Sequence, residues 1–248
     1  LGLEKLGKKV QMISRDGVPR KYSRLPGAAR VRTGLGRKPD LGITVDCSTP
    51  DMLGGVFSSL GGNTPILEID HHDTREPFGQ VQMIDPEAAA VGEMVYTLLN
   101  AMKVEITRQI AENILTSVIV ETCSFRLPNV RPFTFKVSEQ MLNAGVDFYK
   151  LVDTVYWSHT KEVAVLSGVC MARCAFLSKG RLAWSYIDRE DLRKGGGRDE
   201  DVDAVPDEIR AIKGVEVVVL FREKDDRTIR VSLRSKGGIN VARLAAVY

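Results

Sequence analysis

Ile66-Leu67-Glu68-Ile69-Asp70-His71-His72-Asp73 runs from apolar residues straight into an acid and two adjacent histidines. The chain has three His, and two of them stand here. A short apolar run bounded in this way reads as a buried strand. In open α/β sheets, ligands gather just beyond the carboxyl ends of the strands. Carboxylate and imidazole together make a ligand set for first-row divalent metals. A polar loop behind a strand is the plainer alternative. Three such side chains in a row, directly behind a buried run, favour a site.

Upstream, Asp40 to Ser48 reads as another strand, with Leu41 to Val45 apolar on both faces, as buried parallel strands are. It ends in Asp46, which is either the N-cap of the next element or a ligand. Two successive strands closing in Asp say more than either acid alone. Two carboxylates and a His at one sheet edge suit a divalent metal, or a pair of them. Further back, Lys9 to Ser14 reads as a first strand, after a helix end closed by Gly7 as its C′ residue. The chain starts at Leu1 inside one helical pattern and stops inside another, Val241 to Tyr248. Both ends are expected to be cut from something longer.

Downstream, Asp85-Pro86-Glu87 carries the signature of a helix start: Asp as N-cap, Pro at the first position, an acid in the first turn. Ala88, Val91, Val95, Leu98 and Leu99 continue the helical period. A helix from Thr107 to Val120 then delivers Glu121-Thr122-Cys123-Ser124-Phe125-Arg126. An acid directly after Val118-Ile119-Val120 must reach solvent, pair with Arg126 or bind a cation. Spacing alone favours the salt bridge. Ser138 to Ala144 and Asp147 to Trp157 read as further helices, and Lys161 to Phe176 as a long amphipathic linker. His159, at its start, reads as a helix-end or surface residue.

From Gly180 the pattern changes to alternation. Arg181 to Ile187 reads as a strand, Glu190 to Gly197 as a polar, glycine-rich loop, and Val202 to Lys213 as a helix interrupted or begun at Pro206. Gly214 to Glu223 and Thr228 to Ser235 form a hairpin across Lys224 to Arg227. Arg230, Ser232 and Arg234 share one face of the last strand. They are a solvated face or a phosphate clamp, since guanidinium binds phosphate oxygens bidentately.

The 248 residues, 44% hydrophobic and 27% charged, suit an ordinary globular protein with room for two domains. A net charge of +3 excludes a broad non-specific nucleic-acid binder, so any basic substrate site must be local. No apolar run reaches the roughly 20 residues of a membrane span, and no signal peptide is read. Cys47, Cys123, Cys170 and Cys174 lack zinc or thioredoxin spacing and are expected to be reduced thiols in a cytoplasmic protein.

Asp46, Asp70-His71-His72 and the run Asp85-Pro86-Glu87-Ala88-Ala89-Ala90-Val91-Gly92-Glu93 resemble the DHH phosphoesterase family. Ser124-Phe125-Arg126 and Ser232-Leu233-Arg234-Ser235 fit its oligoribonuclease and 3′-phosphoadenosine-5′-phosphate (pAp) phosphatase branch, the latter within the DHH-associated C-terminal domain. The resemblance implies an α/β protein with a parallel-sheet DHH domain over 1–158 and a linker helix over 159–178. A smaller α/β substrate-binding domain over 179–248 follows, and the active site lies in the cleft. It also implies two manganese ions that activate water. By match, Asp46 would bridge the metals, His71 would ligate, and Glu121 would stand at the acid of the family's fourth motif. Asp70 would orient the site and His72 would contact the scissile phosphate or assist the leaving group. Arg126, Arg234 and Ser235 would hold the phosphate or terminus of the nucleotide.

The implied substrates are short oligoribonucleotides, linear dinucleotides or pAp, without a membrane and with a homodimer left open. Rival readings are a single-strand DNA exonuclease, a polyphosphatase or pyrophosphatase, and a degenerate nucleotide-binding regulator without turnover. The pattern departs from the family in three places. An upstream His-x-x-x-Asp-x-Asp motif and a downstream Gly-Gly-Gly-His motif are absent, and Glu121 replaces Asp. One metal site is therefore expected to be incomplete. The chain by itself is expected to bind at most one metal weakly and hydrolyse little, within a longer, active parent protein.

Overall fold

A computed structural model describes residues 1–157, 159–224, 228–236 and 238–245. They divide into two units, Leu1–Ser158 and His159–Tyr248. In the first, a one-turn helix, α1 (Gly2–Lys5), ends with Gly7 at φ 73°. Gly7 N–H donates to the Glu4 carbonyl and Lys8 N–H to that of Leu3. This is the Schellman closure that only a left-handed C′ residue permits without strain. Lys9 to Ser14 is not a strand. Its one ladder contact is the bridge between Ile13 and Arg32, because Asp16-Gly17 and Pro19 turn the chain away at once.

β1 (Gly42–Val45), α2 (Gly55–Leu60), β2 (Ile66–Asp70) and β3 (Val81–Ile84) follow. The strands form a parallel sheet in the order β1-β2-β3, with Val45 beside Ile69 and Asp70 beside Ile84. β1 is buried on one face only; Ile43 and Val45 are exposed. An apolar run reports what a strand can bury, and here the covering cluster of Ala88, Val91 and Met94 sits on Ile69 of the central strand. β3 escaped the sequence reading because four residues between Gln80 and Asp85 give too short a run to show a period.

The expected helix start at Asp85 is displaced. Asp85 accepts from Glu87 N–H in a turn, Ala88 to Ala90 run buried, with Ala90 extended, and α3 begins at Val91 (Val91–Ala101). α4 (Arg108–Glu121) is capped by Thr107, α5 (Pro132–Asn143) starts earlier than expected with Pro132 in its first turn, and α6 (Phe148–Tyr156) is capped by Asp147. Leu115, Ile119, Val137 and Met141, all fully buried, centre the helical core. α3 and α4 approach closely at Gly92, where a Cβ would stand 2.8 Å from the Ile114 carbonyl and 2.9 Å from Ser117 Cβ.

The second unit contains α7 (Lys161–Ala172), β4 (Ala175–Leu177), β5 (Leu182–Ile187), α8 (Arg189–Gly195), α9 (Val205–Arg210), β6 (Val217–Glu223), β7 (Ile229–Ser235) and α10 (Val241–Ala245). α7 stops at Ala172, not Phe176, and sends Leu166 and Cys170 into this unit's core. The stretch read as a polar loop is helix α8, closed at its start by a reciprocal Asp188–Asp191 capping box and at its end by left-handed Gly196. The sheet is mixed, in the order β4-β5-β6-β7, with β5 and β6 parallel and both outer pairs antiparallel. The tip of the β6–β7 hairpin (225–227) and the last three residues of the closing helical pattern lie outside the described residues. Among the described residues, no helix is long and apolar enough to cross a membrane.

Gly92→Ala is expected to destabilise the protein by about 1–3 kcal/mol, since the added methyl meets backbone. Gly168→Ala, mid-helix and facing open space, should stabilise it by up to about 1 kcal/mol. Urea unfolding midpoints of the two variants check both signs.

Candidate metal centre

Parallel pairing of β1 and β2 brings their carboxyl ends side by side, and Asp46 N–H extends the ladder to the Ile69 carbonyl at 3.0 Å. Asp46 itself sits at φ 60°, a left-handed conformation that Asp tolerates at a cost of about 1 kcal/mol or more. Asp70 ends β2 with 1% of its side chain exposed. Its Oδ1 accepts from His71 N–H at 2.8 Å and lies 2.7 Å from His72 Nδ1.

His71 turns the other way. Its Nδ1 lies 2.9 Å from the Ala88 carbonyl, which can only accept, so Nδ1 carries the hydrogen. Nε2 then faces Asp46 Oδ1 at 3.4 Å. This is how a metal-ligating His is held, with one ring nitrogen fixed by a carbonyl and the other left for the ion. Asp46, His71 and His72 each offer a ligand atom, and the three atoms lie within 4.8 Å of one another. Asp46 Oδ1 is buried without a hydrogen-bond partner among the described residues. An unsatisfied carboxylate oxygen facing imidazole nitrogens fits a divalent cation.

The charges agree with that geometry. Asp46 is the main cause that raises the His71 pKa to about 9, with the Ala88 carbonyl and Glu121 adding to it. His71 in turn lowers Asp46. Burial holds the Glu121 carboxyl above its usual range, Asp46 pushes the same way, and the two histidines oppose. Glu121 thus faces the site's charges without belonging to its tight trio.

The salt bridge that spacing favoured, Glu121 with Arg126, is absent among the described residues. Three successive non-glycine residues, Cys123, Ser124 and Phe125, take φ of 46°, 57° and 62° and coil the chain back on the end of α4. Arg126 Nε donates instead to the Cys123 carbonyl at 2.6 Å, and the residue is exposed. In the second unit, Arg234 stands 3.7 Å from Asp207, Arg230 stands 3.7 Å from Asp199, and Ser235 Oγ donates to the Ile239 carbonyl at 2.6 Å.

Sequence reasoning missed the residues that brace the centre. Asn129 donates to the carbonyls of both Ala89 and Glu121, tying the His71-orienting segment to the end of α4. Buried Glu93 accepts from Ala89 N–H and from Arg131. Arg75 pairs with fully buried Glu68, and its Nε lies 3.8 Å from Asp70 Oδ2. Only the acids at 68 and 93, embedded in apolar runs, signalled that partners must exist.

Arg75→Ala is expected to cost about 3–5 kcal/mol by leaving Glu68 buried and unpaired, and Glu68→Gln in the same chain should recover much of it. A double-mutant cycle by chemical denaturation measures both. In metal-free protein the raised His71 pKa makes the Asp46–His71 pair fully stabilising below about pH 6.5 and progressively weaker as pH rises through about 9. The lowered Asp46 pKa places the opposite loss in acid, below its ordinary 3.8. Denaturation across pH in chelator should therefore show a declining alkaline limb that Asp46→Asn flattens.

Residues 180–248 match the DHHA1 domain family. The chain is 31% identical over 180 residues to the bifunctional oligoribonuclease and PAP phosphatase NrnA of Thermus thermophilus, covering 73% of this chain and 53% of that protein. It is 29% identical over 178 residues to the protein of the same name in Bacillus subtilis, covering 70% and 56%. The chain thus spans about half the length of these curated relatives. Among solved structures, an exopolyphosphatase-related protein from Bacteroides fragilis shares the fold, with a TM-score of 0.91, 98% of this chain and 75% of that one covered, and 21% identity. These matches place residues 180–248 in the DHHA1 domain family, and they make the chain as a whole similar to bacterial proteins named as bifunctional oligoribonuclease and PAP phosphatase.

Proposed function

We propose that this chain carries the catalytic centre of a divalent-metal-dependent phosphoesterase that cleaves short oligoribonucleotides, linear dinucleotides or pAp, with manganese as the ion. The observation that carries the proposal is the meeting of Asp46, His71 and His72 at the ends of adjacent parallel strands. The relatives' names, oligoribonuclease and PAP phosphatase, support the substrate class.

Asp46 and His71 would hold the ion, with Glu121 close enough in charge to serve beside them. When bound, the ion lowers the pKa of water and neutralises charge on phosphoryl oxygens. The Ala88 carbonyl keeps the hydrogen of His71 on Nδ1 and so leaves Nε2 free for the ion. Asp70 does the same for His72 through Nδ1, which leaves its Nε2 able to give or take a proton at the leaving oxygen. Arg126, exposed beside the end of α4, supplies a guanidinium for a phosphate. Arg234 and Ser235 are assigned to the far phosphate or terminus of the nucleotide.

The test offers the full-length protein, with manganese, a labelled RNA dinucleotide, pAp, polyphosphate and single-stranded DNA. Mononucleotide release from the dinucleotide or phosphate release from pAp is the expected result. His71→Ala should lower it at least about a hundredfold, whereas Arg234→Ala should raise KM about tenfold with kcat largely kept. Full activity in His71→Ala would refute the metal assignment, and binding without turnover would replace hydrolysis by a regulatory role.

A further inference from the structure

The net charge of +3 conceals a sharp asymmetry. Residues 8–38 contain ten Lys and Arg against a single acid, Asp16, a net +9, so the other 217 residues together carry −6. Segregation of this kind points to a polyanionic partner rather than to solubility alone. The structure keeps these charges available. Among the described residues Arg20, Lys21, Arg24, Arg32, Arg37 and Lys38 are all exposed, and none has an acidic partner.

The segment is also anchored at two places near the metal centre. At one end Arg15 Nη1 donates to the Asp51 carbonyl at 3.2 Å, on the turn that follows Asp46. At the other, the turn Arg20–Tyr22 packs on α6. There Tyr22 and Arg126 both act electrostatically on Tyr156, whose hydroxyl is bonded to the Ile119 carbonyl at the end of α4. The strip therefore reaches from the turn after Asp46 to α6, whose Tyr156 bonds the end of α4. Lys21 lies 4.8 Å above the Tyr22 ring, so an aromatic stands among the cations, as in surfaces that track single-stranded nucleic acid.

We infer that residues 8–38 form a docking strip for the phosphates of a single-stranded RNA beyond the one being cleaved, so that the site favours strands of several nucleotides over pAp. The inference rests on the proposed phosphoesterase reading for its choice of RNA. A mononucleotide has too few phosphates to use six separated cations, whereas each phosphate contact on a single strand releases bound counterions and adds about −0.7 to the slope of log K against log salt.

The experiment measures fluorescence anisotropy of a labelled five-nucleotide RNA with the full chain in chelator, across a salt series, alongside KM for two- and five-nucleotide substrates in manganese. Arg20→Ser/Lys21→Ser/Arg24→Ser should weaken pentamer binding at least tenfold, make the salt slope shallower by about 2, and bring the two KM values together. Arg37→Ser/Lys38→Ser, on a different stretch, should make the slope shallower by about 1.4 and guards against misfolding of the triple variant, which circular dichroism monitors. Unchanged slopes in both variants overturn the inference. So does binding to phosphatidylglycerol vesicles that these substitutions abolish while RNA affinity stays the same. If the full-length protein hydrolyses nothing while the chain shows the salt slope and its loss, the phosphoesterase reading fails and the docking strip stands.

Discussion

A carboxylate with almost no water around it must draw its hydrogen bonds from the protein, and Asp70 draws them from the two residues that follow it. One oxygen accepts from the His71 amide and faces the His72 ring; the other faces Arg75. Satisfying Asp70 therefore turns the chain at the end of β2 and fixes which nitrogen of His72 carries the hydrogen. Arg75 is shared with Glu68, buried two residues earlier on the same strand. One guanidinium answers two acids, and Phe78 N–H and Gly79 N–H complete the Glu68 shell. The loop after the histidines is thereby held to the strand before them, and the site inherits the rigidity of the central strand.

The same demand explains why a good helix-start signal fails to start a helix. His71 needs a backbone carbonyl at 2.9 Å, and the carbonyl of Ala88 would bond within the helix if α3 began at Asp85. Keeping Ala88 to Ala90 out of the helix frees that carbonyl, and the small side chains let the segment lie fully buried. Glu93 and Asn129 then take over the Ala89 N–H and carbonyl that a helix would have satisfied. Local propensity yields here to a tertiary hydrogen bond, as it often does at functional sites.

What could be read in the sequence follows from this. β1, β2, α4 and α6 were legible because period, caps and apolar runs agree, and the Asp46 and Asp70-His71-His72 pattern was legible because the strand ends themselves carry the chemistry. The bracing residues were not, since Asn129, Arg131 and Arg75 act across 40, 38 and 7 residues of chain and look like ordinary loop residues. The Glu121–Arg126 pairing misled for a different reason. The pairing was read from nearness in sequence, and three left-handed residues in succession cannot be foreseen from Cys-Ser-Phe. Helix α8 was mistaken for a loop because its glycines close it rather than dissolve it.

Charge placement gives the last constraint. At physiological salt, exposed charges more than about 8 Å apart are largely screened from one another. A net charge of +3 spread evenly would thus neither attract nor orient an anionic strand. Concentrating +9 in residues 8–38, while the other 217 residues together carry −6, makes that segment locally attractive to an anionic strand. Irregular backbone suits the task, because long Arg and Lys side chains on 3-10 turns and loops are not required to face a core. The acids that a cation site needs, Asp46 and Glu121, would by themselves repel the phosphates they must meet. A basic margin beside them offsets that repulsion before any ion is bound, which ties the composition of residues 8–38 to the chemistry at the ends of β1 and α4.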